Sequence, residues 1–449
     1  MNNCWKTEKR LCMKRSVWLV VLSLFSLTLS AQEKVTVEQV ISLALESNYD
    51  VRIMQNAVDA ASTDSEYLYG AYVPQLNATG SVVKNYNDQE LRFQDDSRNN
   101  QGEARSTNTS ASLQLNWILF DGTRMFAMRN ITRETEAQSR LLLKDQMTST
   151  IAAVIQNYYD IVRQKQQLRA VREQMAVSEE RVKLAERKFQ VGTGAKPELL
   201  QAKVDFNEQR TLALQQESLI LQLKEQLNAQ VDRKLPLPFD VADTIIIDLD
   251  LQEQDMIDNL ENRNFSLQAA RAGVEIANDA IWAQRAQGLP SLSFNAAYNY
   301  QQLNNTLLIN PFGPTYNLTT GLNAGFTVNI PILNNFNNRR LVQQSRIFQR
   351  RQELVQAQQT VIVNTSVKNA FTSYDNARKI LAVEEENIQL ARENVNIALE
   401  VFRRGASTFV ELRTAQQSLA DAYTRLISAR YLAKVAETEL LRLNGSLLR

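Results

Sequence analysis

Residues 151–189 read IAAVIQNYYDIVRQKQQLRAVREQMAVSEERVKLAERKF, and the spacing of their apolar members decides the fold class. Ile151, Ile155, Tyr158, Val162, Leu168, Val171, Met175, Val182, Ala185 and Phe189 recur mostly at steps of three and four, which places them on one seam of a helix that packs along a partner helix. Neither Gly nor Pro occurs from Thr123 to Val191, and the same is true from Ile332 to Arg404. Each run is rich in Gln, Glu, Arg, Ala and Leu, so each predicts a single helix approaching roughly 100 Å at about 1.5 Å per residue. Globular helices are seldom so long.

Working outward, the two runs prove to be copies. Asn48-Tyr49-Asp50-Val51 matches Asn264-Phe265-Ser266-Leu267, and Pro74-Gln75-Leu76 matches Pro290-Ser291-Leu292. Leu115 to Phe120 matches Val328 to Leu333, Phe189-Gln190-Val191-Gly192 matches Phe402-Arg403-Arg404-Gly405, and Glu198-Leu199 matches Glu411-Leu412. The expected organisation is therefore a first repeat over 32–234, a non-helical equatorial segment over 235–251 with Pro236, Pro238 and the apolar run Thr244-Ile245-Ile246-Ile247, and a second repeat over 252–449. Each repeat reads as helix, β-hairpin, long helix, turn, helix.

The hairpins carry a different periodicity. Leu292, Phe294, Ala296, Tyr298 and Tyr300 alternate with Ser293, Asn295, Ala297, Asn299 and Gln301, and Leu322, Ala324, Phe326, Val328 and Ile330 alternate with Asn323, Gly325, Thr327 and Asn329. In the first repeat Leu113, Leu115, Trp117 and Leu119 oppose Ser112, Gln114, Asn116 and Ile118, with a looser alternation at Leu76, Ala78, Gly80 and Val82. Four strands of about ten residues match what a tilted strand needs to cross a bilayer, and a face of Asn, Gln, Ser and Thr suits a water-filled lumen. Asn85 to Asn108 and Gln302 to Asn317 read as the hairpin loops. Four strands cannot close a barrel alone, so their open edges call for other copies, and three chains would give twelve strands.

The N-terminus and composition narrow the function. Lys9, Arg10, Lys14 and Arg15 precede an apolar run from Val17 to Leu29 ending at Ser30-Ala31, the pattern of a secretory signal peptide over 1–31 with cleavage near Ala31, whether translation starts at Met1 or Met13. Both cysteines, Cys4 and Cys12, precede that run, and the chain has no histidine. The commonest general base and soft metal ligand are thus missing, so no catalytic residue, cofactor or metal is expected. Lys and Arg (50) balance Asp and Glu (49), which gives no basic surface for nucleic acid. A secreted or periplasmic coiled-coil scaffold would account for the helices but not for the duplicated hairpins. A hydrolase using Glu198 and Glu411 has nothing in the sequence to bring the pair into one cleft.

Val73-Pro74-Gln75-Leu76 leads into a strand, Leu119-Phe120-Asp121-Gly122 and Ile330-Pro331-Ile332 lead out of strands, and the two Gly-bearing turns close the long helices. In this order, twice, the chain resembles the TolC-like outer-membrane efflux proteins from Val37 to Asn444. The resemblance implies a mainly α fold with a β-barrel segment: a long coiled-coil helical barrel in the periplasm plus four strands per chain, completed as a 12-stranded barrel in a homotrimer embedded in outer-membrane lipid. It implies an outer-membrane channel subunit of a tripartite efflux pump or type I secretion system. Its partners would be a periplasmic adaptor (membrane fusion) protein and, through it, an inner-membrane RND, ABC or MFS transporter. The first turn, Gly192, Thr193 and Gly194, and the second, Gly405 and Ala406, would be the adaptor-docking tips. The second turn would also line the closed periplasmic aperture. There Glu411 matches the first of two family aspartates, Thr414 stands at the second, Ser407 replaces an arginine, Phe402 replaces a tyrosine, and Glu198 matches an acidic partner in the first turn. Thr408-Phe409-Val410-Glu411 also has the spacing of a capping box, which would occupy Glu411 with backbone amides instead.

Overall fold

The computed structural model describes residues 34–448 apart from Leu237, Pro311 and Gly405. The expected signal peptide, 1–31, and Gly405 of the second turn lie outside the described residues. The elements are helices α1 (Val37–Ser47) and α2 (Tyr49–Glu66), strands β1 (Gln75–Leu91) and β2 (Asn100–Asp121), and helices α3 (Arg124–Gln190) and α4 (Lys196–Gln230). After a non-helical segment and two short turns of helix, Glu253–Ile257 and Leu260–Arg263, come α5 (Phe265–Ala286), β3 (Ser291–Leu307), β4 (Tyr316–Asn329), α6 (Asn337–Arg403) and α7 (Phe409–Leu443). Helices α3 and α6 each contain 67 residues, about 100 Å at 1.5 Å per residue. Among the described residues no helix is long and apolar enough to cross a membrane.

The chain forms two compact units. The first holds residues up to Arg52, Gln146–Asp258 and Ser366 onward. Within it α3 packs on α4 through Leu168, Val171 and Ala213 and again through Ala185, Leu199 and Ala202, while α6 packs on α7 through Leu381, Ile388, Ala422, Leu426, Ala429 and Ala433. These are seam residues of three- and four-step periodicity, so burial of each stripe against its partner helix replaces the isolated-helix instability of such long segments. The segment between α4 and the second half is pinned as a belt. Leu235, Phe239 and Val241 enter the same core as Val40, Tyr158, Ile161 and Leu227, and Val35 N–H donates to the Asp240 carbonyl at 2.9 Å. Tyr158, fully buried, donates to Val35 O at 2.8 Å and accepts from Ala242 N–H at 2.9 Å. Tyr374, its counterpart in the second half, donates to Asp248 O at 2.8 Å. The isoleucine run is less central than its hydropathy suggests, since Ile246 points into solvent.

The second unit, Ile53–Asp145 with Asn259–Thr365, carries one four-stranded antiparallel sheet in the order β1-β2-β3-β4. Trp117, Phe294 and Phe326 stand side by side across three strands, as do Leu113, Tyr298 and Leu322. The opposite face is a ladder of hydroxyls and amides: Ser81 with Ser110 at 2.8 Å, Thr79 with Ser112 at 3.3 Å, and Asn295 Nδ2 with Thr327 Oγ1 at 3.2 Å. The strands contain 17, 22, 17 and 14 residues, longer than the ten expected. Most of the stretches read as loops, Asn85–Asn108 and Gln302–Asn317, are paired strand. Cross-strand pairs extend both faces there: Asn85 Nδ2 donates to Ser106 Oγ at 3.2 Å on the hydroxyl-bearing face, and Arg105 lies over the Tyr86 ring on the other. The apolar face also departs from strict alternation. A bulge between Ile118 and Phe120 makes Leu119 the extra residue, and Phe120 rather than Leu119 sits opposite Leu292.

The link from β2 to α3 explains the Asp-Gly motif. Gly122 (φ +73°) and Thr123 (φ +79°) reverse the chain, and Asp121 Oδ1 accepts from Met125 N–H at 2.9 Å to cap the new helix. A side chain at Gly122 would strike the Ala286 carbonyl and come within 2.8 Å of Leu289 Cβ, so only glycine suits both the angle and the space. Helix α6 likewise starts later than the Pro-free run suggests, because Asn335 and Phe336 take φ near +55° and +59°.

Candidate functional site

The first helical hairpin turn follows from its glycines. Helix α3 ends as Thr193 and Gly194 both donate to Lys188 O at 2.9 Å, with Gly192 at φ +76°. Gly194 permits close approach: a Cβ there would lie 2.8 Å from Lys188 Cβ. Ala195 occupies the N-cap of α4 without a side-chain bond, and Pro197 sits in the first turn, where its missing N–H costs nothing. Glu198, partly exposed, lies in that same turn.

In the second turn Ala406 N–H donates to Val401 O at 3.0 Å. Thr408 then caps α7: Glu411 N–H donates to Thr408 Oγ1 and Thr408 N–H donates to Glu411 Oε2, both at 3.3 Å. The capping box is therefore formed, and Glu411 is otherwise exposed. Thr414 is exposed with its hydroxyl turned back to Val410 O at 3.0 Å. The Ser407 hydroxyl is buried without a hydrogen-bond partner, and the Phe402 ring receives the Lys188 ammonium 5.1 Å from its centroid. That contact brings the ends of α3 and α6 together. No hydrogen bond or ion pair joins Glu198 to Glu411 among the described residues.

What the sequence reading missed is the clasp just behind the turns. Asp205 of α4, 7 % exposed, accepts from Arg181 of α3 at 3.1 Å, from Arg413 of α7 at 3.2 Å and from Gln201 at 2.8 Å. Arg181 also reaches Gln416 Oε1 on α7 at 3.5 Å. Burial pulls the Arg181 guanidinium down from its ordinary value, and the Asp205 charge counters that pull. One carboxylate thus ties both helical hairpins together. The available signal was a charge on a seam: Asp205 follows Leu199 and Ala202 along the buried stripe of α4, where an apolar residue belongs.

A second polar cluster locks the belt. Lys165 donates to Asp240 Oδ2 at 2.7 Å and pairs with Asp243 at 2.7 Å, and Lys34 pairs with Asp243 at 2.9 Å. Hydrogen bonds from Lys165 and Lys34 hold the Asp243 carboxyl down to about 2. Burial works against charge on Asp240 and Lys165, yet their mutual pairing prevails, lowering the carboxyl and raising the ammonium. Among the described residues no group of three His, Cys, Asp or Glu side chains is placed to hold a metal.

Comparison with known proteins gives one family. The model of the family described as outer membrane efflux protein matches twice, over residues 40–231 and 256–446. The outer membrane protein TolC of Vibrio cholerae serotype O1 is 23% identical over 391 residues, covering 85% of this chain and 83% of that protein. The outer membrane efflux protein BepC of Brucella suis biovar 1 is 25% identical over 347 residues, covering 76% and 73%. Among solved structures, that of CusC superposes with a TM-score of 0.73 at 19% identity, covering 91% of this chain and 92% of its own, a likeness of fold.

Proposed function

Because the chain belongs to the outer membrane efflux protein family, we propose that three copies of it close their sheets into one twelve-stranded barrel and that its helical turns dock a periplasmic adaptor. The protein is an outer-membrane efflux channel, resident in the outer membrane with its helices in the periplasm, and it conducts rather than catalyses. Channels of this family are trimeric and work with efflux-pump partners. The observation that carries the trimeric reading is the sheet itself: β1 and β4 each offer a bare edge, 17 and 14 residues long, beside an exposed apolar face. In lipid such edges must be paired, and only closure with other copies pairs them all.

Under this reading the repeats 32–234 and 252–449, joined by the belt 235–251, are two versions of one unit. The turns at Gly192, Thr193 and Gly194 and at Gly405 and Ala406 meet the adaptor, which couples the channel to an RND, ABC or MFS transporter of the inner membrane. Ser407, Phe402, Glu198, Thr414 and Glu411 then surround the periplasmic aperture. The departures from the family's pattern leave closure to the Arg181–Asp205–Arg413 clasp and to Lys188 over Phe402.

Chemical crosslinking of detergent-extracted protein should stop at three chains, and a monodisperse monomer with an intact sheet would overturn the trimer. Gly192→Val should abolish export while leaving the assembled channel in the membrane, since φ +76° is strained for any β-branched residue. Normal export by that variant would remove the first turn from adaptor docking.

A further inference from the structure

In the second unit the helices form a row that follows the sheet. Ser65 of α2 lies beside the Glu136 carboxyl of α3 and the Tyr72 ring just past α2 stands 6.4 Å from that of Phe126 of α3, Gln138 of α3 donates to Ala269 O of α5 at 2.9 Å, and Gln359 of α6 donates to Ser266 of α5 at 2.7 Å. The order α2-α3-α5-α6 therefore repeats β1-β2-β3-β4, and α2 and α6 stand at the two ends of the row with one side each uncovered. On α6, Gln352 and Gln359 face α5. At 100° per residue the opposite side carries Gln343, Ile347, Leu354 and Val361, and Ile347 and Leu354 are 65% and 57% exposed. On α2, Val58 and Ser65 face α3, and the opposite side carries Ile53, Asn56 and Ala60, with Ile53 61% exposed.

The flanks of these bare faces are charged with opposite signs. Along α6 run Arg339 and Arg346 on one flank and Arg340 and Arg351 on the other, and Arg339, Arg346 and Arg351 border an open groove of about 930 Å³. Among the described residues Arg339, Arg346 and Arg351 have no carboxylate partner. Along α2 run Asp59 and Glu66 on one flank and Asp64 on the other, all exposed. Asp59 and Glu66 are one heptad apart, as are Arg339 and Arg346, about 10 Å along each axis at 1.5 Å per residue.

We propose that α2 of one copy lies antiparallel along α6 of the next, with Ile347 and Leu354 packed on Ile53 and Ala60, Arg339 and Arg346 opposite Glu66 and Asp59, and Arg340 opposite Asp64. The inference rests on the trimeric reading and adds the surface that sets register and partner. Its geometry follows from connectivity. If the β4 edge of one copy pairs with the β1 edge of another, the helix leaving β4 and the helix entering β1 depart side by side from the same end of the sheet, in opposite directions. For two right-handed helices lying face to face and antiparallel, the Arg339–Arg346 flank falls on the same side as the Asp59–Glu66 flank, and the Arg340 flank on the same side as Asp64. Charge complementarity on both flanks thus matches one arrangement, and a one-turn slip would separate the heptad-spaced pairs.

The test uses the full chain in outer membranes, with Cys4 and Cys12 replaced by Ser. Thr63→Cys with Gln343→Cys should give disulfide-linked ladders ending at three chains, whereas either cysteine alone should give none. Arg339→Glu with Arg346→Glu should lower trimer yield about tenfold through like-charge juxtaposition, and adding Asp59→Arg with Glu66→Arg should restore it. If an amine-reactive crosslinker still captures trimers while the cysteine pair stays silent and the charge reversal is harmless, the α2–α6 interface is wrong and the trimer stands. If no crosslinker captures more than one chain, both fall together.

Discussion

Replacing Asp205 by Ala should loosen the helical hairpins at their turn-bearing ends. The carboxylate accepts three hydrogen bonds. That from Arg181 joins side chains only 13% and 10% exposed, so as a buried charge-assisted bond it contributes about 1.5–3 kcal/mol. The Arg413 side chain is 49% exposed and solvent screening reduces its share to about 1 kcal/mol or less, while the neutral bond from Gln201 adds about 1 kcal/mol. The variant also removes the charge that Asp205 supplies to the buried Arg181, and breaking a buried pair costs up to about 3–5 kcal/mol. Taking about 3 kcal/mol as the local effect, amide hydrogen exchange around residues 178–185 of α3 and 412–419 of α7 should accelerate roughly a hundredfold, with the sheet unaffected. Channels in planar bilayers should show longer open dwell times. Arg181→Met combined with Asp205→Leu removes both charges and should recover most of the protection. Acceleration of less than about threefold in Asp205→Ala, or a coupling below about 0.5 kcal/mol in the Arg181/Asp205 double-mutant cycle, would refute the clasp.

Phe326→Arg should hinder barrel assembly by about 2–4 kcal/mol at the bilayer midplane, whereas Asn323→Arg on the hydroxyl-bearing face should be tolerated; heat-modifiability on gels separates the two. The belt should open in acid. Asp240 and Asp243 have folded values below their unfolded ones, so their stabilisation is present above about pH 4 and is lost as pH falls from about 4 toward about 2; Lys165, raised, contributes below its unfolded value and fails only in strong base. Asp243→Asn should flatten the acid limb of a melting-temperature profile, and an unchanged limb would exclude the cluster. Glu411→Gln keeps much of the cap while removing one charge per chain, so a drop in cation preference in bilayers assigns Glu411 to the pore; a silent Gln variant together with an Ala variant destabilised by about 0.5–2 kcal/mol assigns it to the capping box alone.

A conduit has no reacting centre, so its residues act through where they stand. Here the hydroxyl and amide ladder faces one side of the sheet and the aromatic row of Trp117, Phe294 and Phe326 the other, which is the polarity that a water-filled lumen within lipid demands. The long helices are held by seams of Leu, Val and Ala, and the buried carboxylates among the described residues are Asp205 of the clasp and Glu437 of α7, which accepts from Asp248 N–H of the belt at 3.2 Å. Those are the places where a helical tunnel can be stiff without being uniformly apolar.

The sequence by itself determined the element types, their order and their duplication, because these depend on local terms. Periods of three and four residues, periods of two, and the positions of Gly and Pro are written along the chain and need no partner to be read. It also placed the two turns and the capping box at Thr408 and Glu411, since a cap involves neighbours only three residues apart. The tertiary structure alone decided three further matters. The strands run past the expected loop boundaries because Asn85 finds Ser106 and Arg105 finds Tyr86 across the ladder, partners that compensate for polar composition. The bulge that shifts Leu119 aside and turns Phe120 to the apolar face arises from pairing with β3, some 170 residues away in the chain. Asp205 reads as an ordinary helical acid until Arg181 and Arg413 arrive from two other helices, because the free energy of a buried charge is set by what surrounds it in space and not by its neighbours in sequence.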